Sequence, residues 1–353
     1  MTEALRIAQV APVATSVPPP LSGSIESLTA LLTNGLVDAG HAVTLFATGE
    51  SRTRATLHAT FARGYREDPQ NWPWELCEMI NVSAAIERAA AFDVIHYQAK
   101  YHPFALPFAR LAGIPVIITL HHAPNEDEIA LWGRYYPDTF FTAISQAQAR
   151  SMTGLNVVGV VPHAIDVPAF PFTAEPRDYL LFLGRFTEGK GVVQAIEIAQ
   201  RVGMPLVLAA EANDYYRDKV EPLVDGTRVR YVGEVADAAK AALLGEARAL
   251  LYPVQAGEPF GLVLAEAMTC GTPVAALDRG AVPEVVEDGV TGGVFDSLDA
   301  LVAGLPRVLA LDRRRVRALA AERFGVARMV AGYESIYRAL TGRTAAAAPA
   351  ISR

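Results

Sequence analysis

The most chemically suggestive stretch runs Gln255-Ala256-Gly257-Glu258-Pro259-Phe260-Gly261-Leu262-Val263-Leu264-Ala265-Glu266-Ala267-Met268. It follows an apolar run ending at Tyr252, which places it at the carboxyl end of a strand, where open α/β sheets bind ligands. Gly261 opens an apolar helix. The first-turn amides of a helix have no intrahelical acceptor and together form a site for an anion. Glu266 lies about 7.5 Å further along the axis, at 1.5 Å per residue. That is close to the spacing between a diphosphate at the helix start and the ribose attached to it. A carboxylate suits a ribose diol because it can accept from both hydroxyls. Glu258, just before the helix, would reach the other side of the diphosphate, where a sugar would sit. The bland alternative is two solvated glutamates flanking a core helix. It is disfavoured because Glu266 interrupts an otherwise apolar helix face.

A second stretch, Leu180-Leu181-Phe182-Leu183-Gly184-Arg185-Phe186-Thr187-Glu188-Gly189-Lys190-Gly191, delivers two cations into a glycine-containing loop after a buried strand. Arg185 can grip a diphosphate with a bidentate fork and Lys190 as a point charge. Alone they could be surface cations; beside the glutamate helix in the same half of the chain, a diphosphate site is the better reading. Two rival readings compete with it. Gly189-Lys190-Gly191 with Glu211 after the next strand mimics the fingerprint of an NAD-dependent oxidoreductase, but the third glycine position is Gln194. A hinged two-domain sugar-binding protein would need no diphosphate site, and the start of the chain shows no export signal.

The elements that must position these residues alternate between short apolar runs and longer amphipathic ones, twice over. Strands are predicted near Leu5–Pro12, Ala42–Phe46, Asp93–Tyr97, Pro115–Leu120, Phe140–Ala143 and Val157–Val160. A second set is predicted near Tyr179–Leu183, Pro205–Ala209, Val229–Val232, Ala249–Tyr252 and Pro273–Ala276. Between them lie helices such as Ser24–Ala39, with Ile25, Leu28, Leu31, Leu32 and Leu36 on one face and Gly40 as its cap. Such alternation gives parallel sheets covered on both faces, and two sets give two doubly wound α/β domains. At 353 residues the chain is long enough for two. Prolines 162, 168, 171 and 176 suggest a stiff, extended linker. The expected organisation is an N-terminal domain over 1–165, a second over 166–325, and a helix over 326–341 that could return to the first. A disordered tail is expected over 342–353.

Composition narrows the function further. Net charge is −7 and both halves are acidic, which argues against a nucleic-acid partner. No apolar run approaches a membrane span, and Cys77 and Cys270 read as reduced, buried small hydrophobes of a cytoplasmic protein. Trp72-Pro73-Trp74 could wedge into a partner or a membrane surface, but in an acidic domain a packed aromatic cluster is expected. Arg313-Arg314-Arg315 with Arg317 reads as the solvated face of a helix. The acidic run Glu126–Glu128 reads as a helix start favoured by the dipole. His96, His122 and His163 read as structural. No metal-ligand cluster is evident, and Asp-x-Asp occurs nowhere in the chain.

The spacing Gly184-Arg185-x4-Lys190-Gly191, followed by Glu258-x7-Glu266 inside Glu-Pro-Phe-Gly-Leu, resembles that of the family 4 (group 1) retaining glycosyltransferases of the GT-B fold. The likeness extends over nearly the whole chain. Pro18-Pro19 with Ser22-Gly23-Ser24-Ile25-Glu26 resembles the family's acceptor-side Gly-Gly-x-Glu loop, with Ser24 in place of the second glycine. Thr119-Leu120-His121-His122 resembles its strand-end histidine motif. Val161-Pro162-His163-Ala164-Ile165-Asp166 resembles its linker motif, with His163-Ala164 for the usual Asn-Gly. Gly280-Ala281-Val282-Pro283-Glu284-Val285-Val286 and Asp288-Gly289-Val290-Thr291-Gly292 are also similar.

The resemblance implies two Rossmann-like domains facing across a cleft, with the donor bound by the second and the acceptor by the first. Arg185 and Lys190 would hold the donor diphosphate, Glu258 the sugar hydroxyls and Glu266 the ribose. Phe260, Gly261, Leu262 and Val263 would offer backbone amides, and the turn from Gly233 to Val235 would face the base. His121 and Glu258 would be the catalytic candidates, and Gly23 with Ser24 the acceptor-side loop. The implied substrates are a UDP- or GDP-linked sugar and a hydroxyl acceptor, with no cofactor and no metal.

Overall fold

A computed structural model describes residues 3–20, 23–100 and 102–343. The expected tail falls almost wholly outside this range. The chain divides into two compact units, Met1–Ala164 with Val326–Arg353, and Ile165–Gly325.

The first unit is built on seven parallel strands: β1 (Arg6–Val10), β2 (Ala42–Thr48), β3 (Thr56–Phe61), β4 (Val94–Ala99), β5 (Val116–Leu120), β6 (Phe140–Ala143) and β7 (Val157–Val160). Their order is β3-β2-β1-β4-β5-β6-β7. Strands β4 and β5 are buried along their whole length, as a sheet covered on both faces requires. The Val326–Thr341 helix belongs to this unit. Its Met329, Val330, Tyr333 and Tyr337 join a core with Leu32 and Leu36 of the Ser24–Asp38 helix and with Ile7, Val94 and Ile117. Gly35 permits that helix pairing, since a Cβ there would run into the Val330 and Val326 side chains.

The second unit has six parallel strands: β8 (Leu180–Leu183), β9 (Leu206–Ala209), β10 (Val229–Tyr231), β11 (Ala249–Tyr252), β12 (Val274–Leu277) and β13 (Gly292–Phe295). Their order is β10-β9-β8-β11-β12-β13. In each unit the winding direction reverses between the first and fourth strands, β1/β4 and β8/β11. Loops leaving the carboxyl ends of such a pair diverge and open a crevice.

Several expectations need correction. Strands β3 and β13 were not anticipated. Arg313 and Arg317 are not a solvated face. Arg313 donates from Nε to the Thr173 carbonyl at 2.9 Å and from its two Nη atoms to Ala247 O, Gly245 O and Thr272 Oγ1 at 3.0, 2.6 and 2.9 Å. Arg317 donates to the carbonyls of Phe170 and Thr269. These two residues tie the proline-rich segment, which contains a 3-10 turn at Val167–Ala169, to the rest of the second unit. The tryptophans part ways: Trp74 stacks on His102 and meets Phe104 edge-on, while Trp72 is 70% exposed. Glu128 completes a capping box with Asn125 at the start of the Glu126–Tyr135 helix, and both cysteines are buried and unpaired. Among the described residues no helix is long and apolar enough to cross a membrane.

Candidate functional site

The loop leaving β8 is anchored by Phe186. Its fully buried ring stacks on Phe182 at 6.2 Å and on Tyr216 at 5.3 Å, and its carbonyl accepts from Asn213 Nδ2 at 2.9 Å. With Phe186 pinned inward, the adjacent Arg185 is exposed. A 3-10 turn at Glu188–Lys190 follows and ends at Gly191, whose φ of +76° suits glycine. A Cβ on Gly191 would also run into the Pro253 carbonyl, so the loop after β8 passes the loop after β11 backbone to backbone. The amide of Gln255 donating to Gly189 O at 2.9 Å fixes the two loops together.

This contact brings three side chains to one point. Lys190 Nζ lies 2.5 Å from Glu258 Oε2 and 3.2 Å from the Tyr252 hydroxyl, and that hydroxyl donates to the same Glu258 oxygen. The Glu258 side chain is only 7% exposed and that of Lys190 25%. Glu258 is held from behind as well, its carbonyl accepting from Ala281 N at 2.7 Å. Gly280 lies so close that a Cβ would strike the Glu258 backbone. Burial, then the Glu258 carboxylate, pushes the Tyr252 hydroxyl well above its ordinary pKa, against the opposing field of Arg185. The phenol therefore stays protonated and acts as donor. Because desolvation offsets much of the attraction, a buried ion pair is weak evidence for stability. Its position at the β8/β11 reversal is what makes it a candidate site.

Gly261 (φ +86°) caps the Leu262–Thr269 helix and sets its start at the same edge of the sheet; the Leu264 amide turns back to Gly261 O at 2.9 Å, and the amides of Leu262 and Val263 precede it. The Phe260 ring is buried edge-on against Phe324 at 5.8 Å, so at this position only the backbone remains for a ligand. Leu262 and Val263 are half-buried on the first turn. Glu266, one turn on and half-buried, accepts from Lys240 Nζ at 2.6 Å. Gly233 (φ +81°) and Val235 follow β10, at the carboxyl end of the same sheet. The sequence reading missed Tyr252 and Lys240. Tyr252 carried a usable signal, a hydroxyl on the last residue of a strand that feeds the site loop.

In the first unit, Gly23 caps the Ser24–Asp38 helix in an extended conformation and the Ser24 side chain is exposed. Glu26 is buried beside Lys100 Nζ at 3.3 Å; Ser22 lies outside the described residues. His121, just past β5, is 7% exposed. Its Nε2 lies 2.9 Å from Gln98 Oε1, its ring stacks on His163 at 5.1 Å, and its Nδ1 is buried without a hydrogen-bond partner. Burial, reinforced by His163, His122 and His96, holds His121 well below the usual imidazole range, and burial likewise brings His163 and His96 to about 3. All three are neutral at pH 7. The bland reading holds for His96, which is buried at hydrogen-bonding distance from Thr119 and Tyr337. Among the described residues no group of three or more His, Cys, Asp or Glu side chains is arranged to hold a metal ion.

Comparison with known proteins agrees with this architecture. The family described as Glycosyl transferases group 1 matches residues 168–323, and that described as Glycosyltransferase Family 4 matches residues 25–167. The chain is 27% identical over 358 aligned positions to the phosphatidyl-myo-inositol mannosyltransferase of Mycobacterium tuberculosis, covering 92% of this chain and 93% of that one. It superposes with a TM-score of 0.72 and 25% identity on AviGT4, a glycosyltransferase involved in avilamycin A biosynthesis, over 96% of this chain and 98% of that one. The Anabaena protein HepE in complex with UDP and glucose shares the fold, with a TM-score of 0.69 and 17% identity over 95% and 100% of the two chains. With family matches spanning both units and the glycine, cation and glutamate motifs at the β8/β11 reversal, the chain belongs to the group 1, family 4 glycosyltransferases of the GT-B fold.

Proposed function

We propose that this glycosyltransferase moves a hexosyl group from a UDP- or GDP-linked sugar to a hydroxyl acceptor, with retention of anomeric configuration and without a divalent metal. The observation that carries the reading is the convergence of Lys190, Tyr252 and Glu258 beside the helix start at Gly261. In this reading Arg185, Lys190 and the first-turn amides around Leu262 and Val263 hold the donor diphosphate. Glu258 takes sugar hydroxyls, Glu266 the ribose, and the turn from Gly233 to Val235 faces the base. His121 is the first unit's contribution to the reaction, and Gly23 with Ser24 stands on the acceptor side. The mannosyltransferase and the HepE complex with UDP and glucose among the similar proteins support a hexose and a nucleoside-diphosphate donor.

Bond breaking leaves charge on the diphosphate, and fixed positive groups aimed at developing charge supply the largest share of such catalysis. Glu258 accepts from both Lys190 and Tyr252. A carboxylate stabilised in this way is a poor nucleophile and a good hydroxyl anchor. Among the described residues this reading assigns to the donor site, Arg185, Lys190, Glu258 and Glu266, none besides Glu258 is assigned to the sugar. Front-face attack therefore fits retention, with the departing phosphate oxygen taking the acceptor's proton.

A thermal-shift panel tests the donor class, because a ligand that binds the folded state raises stability by RT ln(1 + [L]/Kd), about 2.7 kcal/mol at one hundred times Kd. UDP or GDP should raise Tm, and one more than the other. A rise with NAD or free sugars alone, and none with UDP or GDP, would remove a UDP- or GDP-linked donor from the proposal. A second outcome concerns metal. Diphosphate leaving groups are neutralised by a bound cation or by fixed positive groups, and the fixed groups are supplied here by Arg185, Lys190 and the helix start. Initial rates in excess EDTA should match those with added magnesium or manganese. A collapse in EDTA that either ion restores would remove metal independence from the proposal.

A further inference from the structure

Behind His121, a chain of buried polar groups crosses the first unit's sheet to the Val326–Thr341 helix, and nothing in the donor chemistry uses it. At its far end the Tyr337 hydroxyl lies 3.0 Å from Gln9 Nε2 and 2.6 Å from His96 Nδ1. Gln9 Nε2 can only donate, so the Tyr337 oxygen accepts from it, and His96 Nδ1 shares the same hydroxyl. His96, kept neutral by burial, reaches Thr119 Oγ1 through Nε2 at 2.7 Å. In the other direction Gln9 Oε1 accepts from Gln98 Nε2 at 3.1 Å. That contact turns Gln98 Oε1 toward His121 Nε2, at 2.9 Å.

A carbonyl oxygen can only accept. The His121 proton therefore sits on Nε2, and the orphaned atom, Nδ1, holds a bare lone pair. The neighbouring His163 ring is stacked, with 20° between the planes, so it presents its face to His121 rather than an in-plane N–H. Buried acceptors in folded proteins nearly always have a donor, and one without calls for an explanation. We infer that Gln98 is a positioning residue, held in orientation by Gln9 and Tyr337, that fixes His121 as the Nε2–H tautomer so that Nδ1 can accept a hydrogen bond from a sugar hydroxyl. Which ring nitrogen carries the proton is set by the partner of the other, and here that partner is a glutamine amide. The role at the sugar rests on the glycosyl-transfer reading above; the tautomer does not.

Long-range 1H–15N spectra of the full chain, free of ligand, read the tautomer directly, with the His121 ring assigned by its loss in His121→Asn. The expected result at neutral pH is a protonated Nε2 and an Nδ1 shift typical of an unprotonated ring nitrogen. Gln98→Leu should shift the ring toward the Nδ1–H form and lower kcat by about 10–100-fold, the loss seen when the group orienting a functional imidazole is removed. Its Kd for UDP or GDP should be unchanged. Gln98→Glu keeps an acceptor at Nε2, though it gives up the donor to Gln9 Oε1, and should keep the proton on Nε2 and more of kcat than Gln98→Leu does, which a merely structural glutamine would not predict. A native protein in the Nδ1–H form, a tautomer indifferent to Gln98→Leu, or an unaltered kcat in that variant overturns the inference. Should Gln98→Leu fail to fold, the native spectrum and Gln98→Glu still decide. A failed nucleotide panel with the expected tautomer would strike the proposed UDP- or GDP-linked donor instead.

Discussion

Lys190→Ala is expected to lower turnover by about 10²–10³ at saturating donor, and Arg185→Ala to do the same, the usual loss for one preorganised charge-stabilising group. The two variants should differ in stability. Lys190 is the partner of a nearly buried carboxylate, and removing it leaves Glu258 with only the Tyr252 hydroxyl to compensate its charge. Leaving a buried charged group short of a partner costs about 1–3 kcal/mol. Arg185 is exposed, so its variant carries the catalytic loss with little change in Tm. Turnover per folded molecule, measured well below each variant's Tm, separates the two effects. Near-full turnover in either variant would remove that cation from the donor site. A Tm drop in Arg185→Ala as large as in Lys190→Ala would mean that the Lys190–Glu258 pair is not what sets the difference.

Most of the fold was legible because fully buried parallel strands read as unbroken apolar runs, and Val116–Leu120 and Ala249–Tyr252 are such runs. The two unread strands lack that signature for identifiable reasons. β3 sits at the sheet edge, partly exposed throughout, and follows β2 with no helix between them, so neither a strand pattern nor an alternation announces it. β13 begins with two glycines, a signature of turns rather than strands. They are required because a Cβ on Gly292 would strike the Val274 carbonyl and one on Gly293 the Phe295 ring. That is tertiary information, absent from the local sequence. Arg313 and Arg317 were misread for the same reason. Four consecutive or nearly consecutive charges look solvated until distant segments deliver the carbonyls of Thr173, Gly245, Ala247 and Phe170 to two of them.

The candidate site was legible as residue types at a spacing, not as a set of contacts. Glu258 and Lys190 were singled out separately, yet 68 positions divide them and only the Gly191–Pro253 backbone approach makes them partners. Tyr252 went unnoticed because a tyrosine ending a buried strand is ordinary until its hydroxyl finds a carboxylate. Gln98 was invisible for a comparable reason: a glutamine inside a buried strand has no helical or charge pattern to mark it, and its meaning lies in the orientation of its amide.

The pairing of Glu266 with Lys240 sets up the last expected result. The structural alternative is that this 2.6 Å ion pair merely ties the Asp237–Glu246 helix to the Leu262–Thr269 helix. If Glu266 instead accepts from a ribose diol, Glu266→Ala should weaken binding of the free nucleoside diphosphate by about 10–100-fold, or 1.4–2.8 kcal/mol. Lys240→Met, which removes the tie but keeps the carboxylate, should leave that affinity within about fivefold, as expected for a partly exposed pair worth at most about 1 kcal/mol. Glu258→Ala should behave in the opposite sense. Its carboxylate competes with a diphosphate for Lys190, so its removal spares or tightens nucleotide binding while damaging use of the intact sugar donor. Calorimetry with the nucleotide and with its sugar conjugate distinguishes these cases. Equal losses for Glu258→Ala and Glu266→Ala on the free nucleotide would overturn the division of labour. Equal losses for Glu266→Ala and Lys240→Met would reduce Glu266 to a helix tie, because a carboxylate that binds ribose directly does not depend on that lysine.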